Sequence, residues 1–137
     1  MQVAIVGLSD LTENEEHEVE NEVKAILKKY DPINTTIIYG GAKGVDTIAS
    51  NTALILGFAI KPYLPFINAW AGYKKRNIEM ANDCDELYCI TIPSRSKESK
   101  CYHHKPIQDH QKTAGCFTAN IARKLNKPCK LIVTRQR

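Results

Sequence analysis

Residues 35–46 read TTIIYGGAKGVD, and this stretch decides the fold class of the chain. The run from Thr35 to Tyr39 predicts a strand, because it is rich in β-branched residues and ends at two glycines. The glycines predict a turn, and Val45 to Leu56 predict a helix that Gly57 closes. The stretch therefore predicts one strand–turn–helix unit, which is the repeating unit of an open parallel sheet.

The same alternation of strands and helices extends along the rest of the chain. Gln2 to Val6 is an unbroken apolar run, which favours a strand buried on both faces of a sheet. Further strands are predicted at Phe58–Tyr63, Glu86–Ile92 and Cys129–Thr134. Helices are predicted on Val19, Val23, Ile26, Leu27 and Tyr30, around Lys74–Ala81 and over about Phe117–Leu125. We expect an α/β fold, a Rossmann-like three-layer sandwich with a mainly parallel sheet of about five strands.

Length and composition limit the class of protein. The chain has 137 residues, of which 43% are hydrophobic and 25% charged, and this predicts a single domain over residues 1–137. Its longest nearly apolar stretch, Thr52 to Ile60, is far shorter than the ~20 residues of a membrane span. No basic segment leads into a hydrophobic one at the N-terminus. The odd number of cysteines, five, favours reduced thiols. We expect a soluble, cytoplasmic protein without a membrane partner.

Charge is distributed unevenly along the chain. Residues 1–30 hold seven acidic side chains and three lysines, whereas residues 93–137 hold eleven basic side chains and two acidic ones, Glu98 and Asp109. The C-terminal third is therefore a candidate surface for attracting anions, nucleic acid included. A solvated surface with scattered lysines explains the same pattern equally well. Only Tyr102 and Phe117 could stack on bases there, which disfavours single-stranded nucleic acid.

Two glycine turns follow predicted strands, at the sheet edge where parallel folds bind ligands. The turn from Gly7 to Ser9 lacks the G-x-G-x-x-G dinucleotide fingerprint, and an ordinary turn explains it as well. The turn from Gly40 to Gly44 lets backbone amides approach a phosphate closely, with Lys43 adding positive charge. It is no Walker A loop, because valine and aspartate follow its last glycine. Asp46 either satisfies the helix dipole or accepts hydrogen bonds from ribose hydroxyls.

Two further segments carry groups that suit an anionic ligand. Lys74, Lys75 and Arg76 are consecutive basic residues at the predicted start of a helix, where their charge opposes the macrodipole and favours a bound anion over a solvated turn. Asn77 could contact a base or ribose edge. The segment from Lys112 to Thr118 precedes the last predicted helix and is either a plain cap or a further contact. The candidate ligand-binding residues are Gly7, Ser9, Gly40, Gly41, Lys43, Gly44, Asp46, Arg76, Asn77, Gly115 and Thr118.

These segments in this order resemble the SLOG superfamily of Rossmann-like domains. The superfamily includes the DNA-processing protein A fold, the LOG-type, lysine-decarboxylase-like phosphoribohydrolases and the YspA/YpsA-like branch. The resemblance covers nearly the whole chain and implies a nucleotide or nucleotide-derived ligand with its phosphate on the glycine turns. It rests on the Gly7 turn, Gly40-Gly41-Ala42-Lys43-Gly44-Val45-Asp46 with Ala49, Arg76-Asn77 with Met80, Asp85-Glu86-Leu87, and Thr113-Ala114-Gly115 through Thr118.

The sequence departs from the hydrolytic members of that superfamily. They carry a glycine-rich turn followed closely by a threonine and a glutamate, and neither turn of this chain has the glutamate. Asp46 and Glu79 are the only plausible substitutes for that carboxylate. The leading hypothesis is therefore binding or sensing of a nucleotide-like phosphate ligand. The alternatives are a nucleoside 5′-monophosphate phosphoribohydrolase and a single-stranded nucleic-acid binder, and these residues do not determine whether the chain forms a homo-oligomer.

The long polar stretch around residues 93–116 is a candidate zinc-binding loop. Its residues Cys101-x2-His104-x5-His110-x5-Cys116 offer two sulfur and two nitrogen ligands, with His103 as an alternative to His104. With all four ligands bound, the zinc would be structural and would order the loop. A catalytic zinc with three protein ligands is the alternative, although no obvious general base lies nearby in sequence. An exposed polar loop with incidental ligands is the competing explanation. The other cysteines, Cys84, Cys89 and Cys129, are predicted to be small core residues.

Overall fold

A computed structural model describes residues 1–95, 101, 110–111 and 113–134 of the chain. Five strands and four helices alternate in it. The strands are β1 (Gln2–Gly7), β2 (Thr36–Tyr39), β3 (Ala59–Pro62), β4 (Glu86–Thr91) and β5 (Cys129–Val133). The helices are α1 (Glu13–Leu27), α2 (Val45–Ile55), α3 (Trp70–Asp83) and α4 (Ala114–Lys124). No helix in the described part of the chain is both long and apolar enough to cross a membrane.

The five strands form one sheet in the order β3-β2-β1-β4-β5, and every neighbouring pair is parallel. This confirms the predicted Rossmann-like α/β class. The chain runs outward from β1 through β2 to β3, and then returns to the other side of β1 to form β4 and β5. Segments that follow the strands therefore meet at one edge of the sheet, near the point where the strand order reverses.

Each face of the sheet buries a separate hydrophobic cluster. One cluster joins α1 and α2 to the sheet and contains Val19, Val23 and Ile26 of α1. The other joins α3 and α4 to the sheet and contains Met80 and four cysteines, Cys84, Cys89, Cys101 and Cys116. The two clusters correspond to the alternate faces of β1 and β4, as expected for strands covered by helices on both sides.

The start of α1 shows how the sequence sets a helix boundary. The Thr12 hydroxyl accepts from the amide of Glu15, and the Glu15 carboxylate accepts from the amide of Thr12. This reciprocal capping box satisfies two amides that the helix leaves unpaired. Arg95 reaches the same carboxylate at 2.6 Å, which ties the segment after β4 to the start of α1.

Two predicted helix boundaries are wrong, and both errors bear on the site. Helix α3 begins at Trp70 rather than near Lys74, because Gly72 lies inside the helix and packs closely on Ile67; a Cβ there would lie 2.3 Å from the Ile67 carbonyl oxygen. The three basic residues thus lie in its second turn, where they oppose the macrodipole far less. Helix α4 begins at Ala114 rather than near Phe117, so the predicted preceding turn is its cap and first turn.

Candidate functional site

A cavity of about 630 Å³ opens at the carboxyl edge of the sheet. Its wall is built from the segments that follow β1, β2 and β3 and from parts of α3 and α4. Nine of the eleven predicted ligand-binding residues line it: Gly7, Ser9, Gly40, Gly41, Asp46, Arg76, Asn77, Gly115 and Thr118. Residues from distant parts of the sequence are thus brought to one concave surface.

The end of β1 and the start of α4 meet in the cavity wall without any intervening side chain. A Cβ added to Gly115 would lie 2.8 Å from the Gly7 amide nitrogen, and one added to Gly7 would lie 2.0 Å from the Ile90 carbonyl oxygen. Thr113 caps α4 by accepting from the amide of Cys116. The first amides of a helix have no partner within it, and Ala114 and Gly115 at this helix start line the cavity.

The glycine turn after β2 is held by a buried carboxylate and a buried guanidinium. The Asp46 Oδ2 accepts from the amides of Gly40 and Ala42 at 3.1 and 3.3 Å. The Arg76 Nη1 donates to the Gly40 carbonyl at 2.5 Å. These bonds fix the turn at the cavity wall, to which both side chains also contribute.

Asn77 carries the clearest sign of an unfilled interaction. Its Oδ1 accepts from the Nε of Arg76 at 3.0 Å, which sets the orientation of the carboxamide. Its Nδ2 has no hydrogen-bond partner among the described residues, although the residue is only 4% exposed and lines the cavity. A buried amide donor without a partner costs about 1–3 kcal/mol, so a ligand with an acceptor at this point would recover that free energy.

Asp46 is a buried acid with a raised pKa. Desolvation by burial raises its pKa to about 6, although the amide of Ala42, the charge of Arg76 and the amide of Gly40 all act to lower it. The carboxyl therefore changes protonation state near neutral pH, which is the range that suits a general acid or base.

Part of the cavity wall is apolar, and sequence reasoning missed it. Leu64, Trp70 and Tyr73 line the cavity with Met80. Trp70 is half exposed and contacts Phe117 edge-to-face at 5.4 Å between ring centroids. The signal that could have found this wall is the single tryptophan of the chain, placed in the proline-interrupted segment after the third predicted strand.

The two remaining predicted residues, Lys43 and Gly44, line a neighbouring cavity instead. Gly44 packs on the turn after β1, since a Cβ there would lie 2.4 Å from the Leu8 carbonyl oxygen. The same carbonyl accepts from the amide of Val45, so the first amide of α2 is already used. Gly44 thus allows the turn after β2 to pack closely on the turn after β1. Lys43 lies next to it and is exposed.

The two candidate catalytic carboxylates are in different places. Asp46 lies in the main cavity, whereas Glu79 lines a separate space of about 60 Å³ beside Lys75 and Phe66. Among the lining residues that the structure describes, Asp46 is the only acid and Arg76 the only permanently charged base. Any acid–base chemistry in the main cavity would therefore depend on Asp46.

A second cluster of functional side chains includes Cys116 of α4. The ligand atoms of Cys101, His110 and Cys116 all lie within 4.8 Å of one another, and none of these residues has any exposed surface. The cluster could hold a metal ion. Three of the four predicted zinc ligands are thus brought together; His104 and its alternative His103 lie outside the described residues. Cys84 and Cys89 are buried in the core as predicted, and Cys129 is half buried.

A parallel sheet with glycine turns and a cavity at its carboxyl edge defines a Rossmann-like α/β protein. No protein-family model matches the chain, and no curated protein matches it. Among solved structures, the chain is similar to the X-ray structure of TM1055, a structural-genomics target, with a TM-score of 0.63 and 18% identity over 93% of this chain and 71% of that chain. A likeness at this identity shows the fold alone.

Proposed function

We propose that the cavity binds or senses a nucleotide-like phosphate ligand. The observation that carries the proposal is the Asn77 Nδ2, which is buried in the cavity without a hydrogen-bond partner among the described residues. Phosphate, ribose and base edges all offer acceptors for such a donor. The volume of about 630 Å³ falls within the range of small-ligand sites, about 300–1,000 Å³.

The two walls of the cavity match the two ends of a nucleotide. Helix N-termini bind anions because their first amides are unpaired and the helix dipole is positive there. We therefore assign the phosphate to the side formed by Gly7, Ala114 and Gly115. The Trp70 side supplies an aromatic face, which suits stacking with a base. The buried Arg76 adds positive charge to the lining of the cavity. This arrangement also supports membership of the SLOG superfamily.

Intrinsic fluorescence offers a direct test, because Trp70 is the only tryptophan of the chain and lines the cavity. Purified protein is titrated with nucleoside 5′-monophosphates, with the matching nucleosides and with inorganic phosphate. We expect a saturable change in Trp70 emission, with the best monophosphate binding at least about tenfold more tightly than its nucleoside. A Trp70→Phe variant, followed by calorimetry, controls for changes unrelated to binding. Equal affinity for nucleoside and monophosphate would contradict the proposed phosphate site.

A phosphoribohydrolase is the second candidate function, favoured by one observation. The pKa of Asp46, raised to about 6 by burial, suits proton transfer at neutral pH. Release of free base from nucleoside monophosphates, followed by chromatography, tests it. Steady release that Asp46→Asn abolishes would establish catalysis, and intact nucleotide after prolonged incubation would leave binding alone.

Nucleic-acid binding remains the third candidate. Much of the basic C-terminal third lies outside the described residues, and Lys127 in the described part donates to the carbonyls of Asn82 and Cys84. Affinity for single-stranded DNA that falls steeply with salt would support this function, since phosphate neutralisation releases counterions.

We also propose that Cys101, His110 and Cys116 hold a structural zinc ion. Sulfur and imidazole donors are typical of tetrahedral zinc sites, and full burial of the three residues favours a closed, structural site. Elemental analysis by X-ray fluorescence of the purified protein tests this. We expect one zinc per chain, and a folded protein that takes up no zinc would contradict the assignment.

A further inference from the structure

The metal cluster has three ligands among the described residues, whereas structural zinc sites have four. Cys101, His110 and Cys116 show no exposed surface, so solvent does not reach them to supply water as the fourth ligand. The missing ligand must then come from the protein. Sequence spacing points to His104, which lies outside the described residues. Among the described residues, a further thiol, that of Cys89, lies close to Cys116.

We propose that Cys89 of β4 is the fourth ligand and that the site is a three-cysteine, one-histidine zinc centre. This inference rests on the metal centre proposed above. The Cys89 Sγ lies 3.9 Å from the Cys116 Sγ. Two sulfurs bound tetrahedrally to zinc at about 2.3 Å lie about 3.8 Å apart, so these two thiols already have the separation of a ligand pair.

The Cys116 sulfur is also close to the imidazole. Its Sγ lies 3.8 Å from the His110 Nε2, close to the roughly 3.6 Å expected for sulfur and nitrogen on one tetrahedral zinc. Cys116 is thus near its expected ligand separation from both Cys89 and His110. The Thr113 hydroxyl donates to the same sulfur at 3.3 Å, which is the type of outer contact that orients a metal-bound thiolate.

The placement of Cys89 suits a ligand fixed by the scaffold. It lies in the central part of β4, has no exposed surface and packs in the same cluster as Cys101 and Cys116. Cys89 is not within the 4.8 Å group of three. Metal binding therefore requires Cys101 and His110 to close on the Cys89–Cys116 pair, which would join the segment after β4 to the sheet and to α4.

The remaining cysteines are directed elsewhere and provide matched controls. The Cys84 thiol donates to the Ala81 carbonyl at 3.4 Å, and the Cys129 thiol to the Ala119 carbonyl at 3.6 Å. Cys84 is as fully buried as Cys89 and lies in the same hydrophobic cluster. Its replacement therefore reports the cost of removing a core thiol without touching the proposed ligand set.

Cobalt substitution counts the thiolate ligands, because sulfur-to-cobalt charge-transfer absorption increases with each bound sulfur. The whole chain is stripped of metal and titrated with Co²⁺, and Zn²⁺ is then added as a competitor. The proteins compared are wild type, Cys89→Ser, Cys89→Ala, Cys84→Ser and His104→Ala. We expect charge transfer to fall by about a third, and zinc affinity by more than about tenfold, in both Cys89 variants. Cys84→Ser and His104→Ala should match wild type. Circular dichroism checks that each variant is folded.

The outcomes separate the ligand set from the metal centre itself. Unchanged absorption and zinc affinity in both Cys89 variants would overturn the proposal. A zinc affinity that falls in His104→Ala instead would favour the ligand set derived from spacing. A wild-type chain that binds no cobalt would instead contradict the metal centre. If Cys89→Ser fails to fold, the smaller apolar Cys89→Ala keeps the comparison, since alanine fits the space of a buried cysteine.

Discussion

Gly115 and Cys116 are consecutive residues of α4, yet they belong to two different sites. Gly115 lines the cavity, and Cys116 belongs to the buried cluster with Cys101 and His110. The cavity wall is fixed by hydrogen bonds and close backbone contacts between short turns. The cluster combines one residue of α4 with two residues of the long segment after β4. That segment has few apolar side chains that could form a core.

The difference teaches how each site is stabilised. Groups at the cavity are held by the protein itself, so the cavity is formed before any ligand binds, which lowers the ordering cost of binding. The cluster brings two thiols and an imidazole close together, and a bound metal ion would stabilise this arrangement. A metal there would order the start of α4 and thereby the amides that we assign to phosphate.

Removal of the metal should have the largest effect. With free zinc at about a thousand times its dissociation constant, binding stabilises the folded state by about 4 kcal/mol. We therefore expect the melting temperature to fall sharply on chelation, in wild type and in Cys84→Ser alike. Calorimetric scans with and without chelator measure this. Identical melting in the two conditions would show that the cluster folds without an ion.

Gly7→Ala should destabilise the protein by more than about 3 kcal/mol, because overpacking against backbone cannot be relieved by side-chain movement. The added Cβ would lie 2.0 Å from the Ile90 carbonyl oxygen. Gly57→Ala is the control: its Cβ meets nothing within 4 Å, but its φ of +87° costs a residue with a Cβ about 1–2 kcal/mol. Urea unfolding measures both. A larger loss in Gly57→Ala would contradict the close packing of the turns.

Asp46 should make stability depend on pH. Its pKa rises from 3.8 unfolded to about 6 folded, so the folded state holds a proton that the unfolded state loses between these values. The free energy of unfolding should fall as pH rises from about 4 to about 6, by an amount of the order of 3 kcal/mol, and level off above. Asp46→Asn should remove this decrease. Urea unfolding across this pH range tests it, and parallel profiles for the two proteins would contradict a buried carboxyl.

Asn77→Asp should weaken ligand binding by about tenfold or more, since it replaces the buried amide donor with an acceptor that repels an anion. Asn82→Asp, at an exposed position of the same helix, introduces the same charge outside the cavity. Trp70 fluorescence titrations compare the two variants. Equal affinity in both would mean that the ligand does not contact Asn77.

Much of the architecture could be predicted from local patterns. Apolar runs and glycine turns predicted where strands and helices alternate along the chain and that the sheet is parallel. These features depend on short-range chemistry, which the sequence shows directly. The convergence of the glycine turns followed from the rule that parallel strands end at one edge. The cluster of Cys101, His110 and Cys116 followed from donor type and spacing.

Other parts depend on tertiary packing and could not be predicted. The predicted start of α3 was wrong because Gly72 lies inside the helix, at a point where the Ile67 backbone leaves no room for a Cβ. This close approach is not visible in sequence. Sequence reasoning grouped Lys43 with the residues that line the main cavity. The direction of the chain after Gly41 depends on how Gly44 packs on Leu8, and this packing is not visible in sequence. Sequence reasoning predicted only a core role for Cys89. Its closeness to Cys116 results from the packing of α4 on β4, which the sequence does not reveal.

A crystal structure of the zinc-loaded protein with a bound nucleoside 5′-monophosphate tests the account most directly. We predict phosphate oxygens within hydrogen-bonding distance of the Ala114 and Gly115 amides and a ligand acceptor on the Asn77 Nδ2. A nucleotide bound elsewhere, with no ligand atom on the amides of Ala114 and Gly115, would contradict the assignment of this cavity.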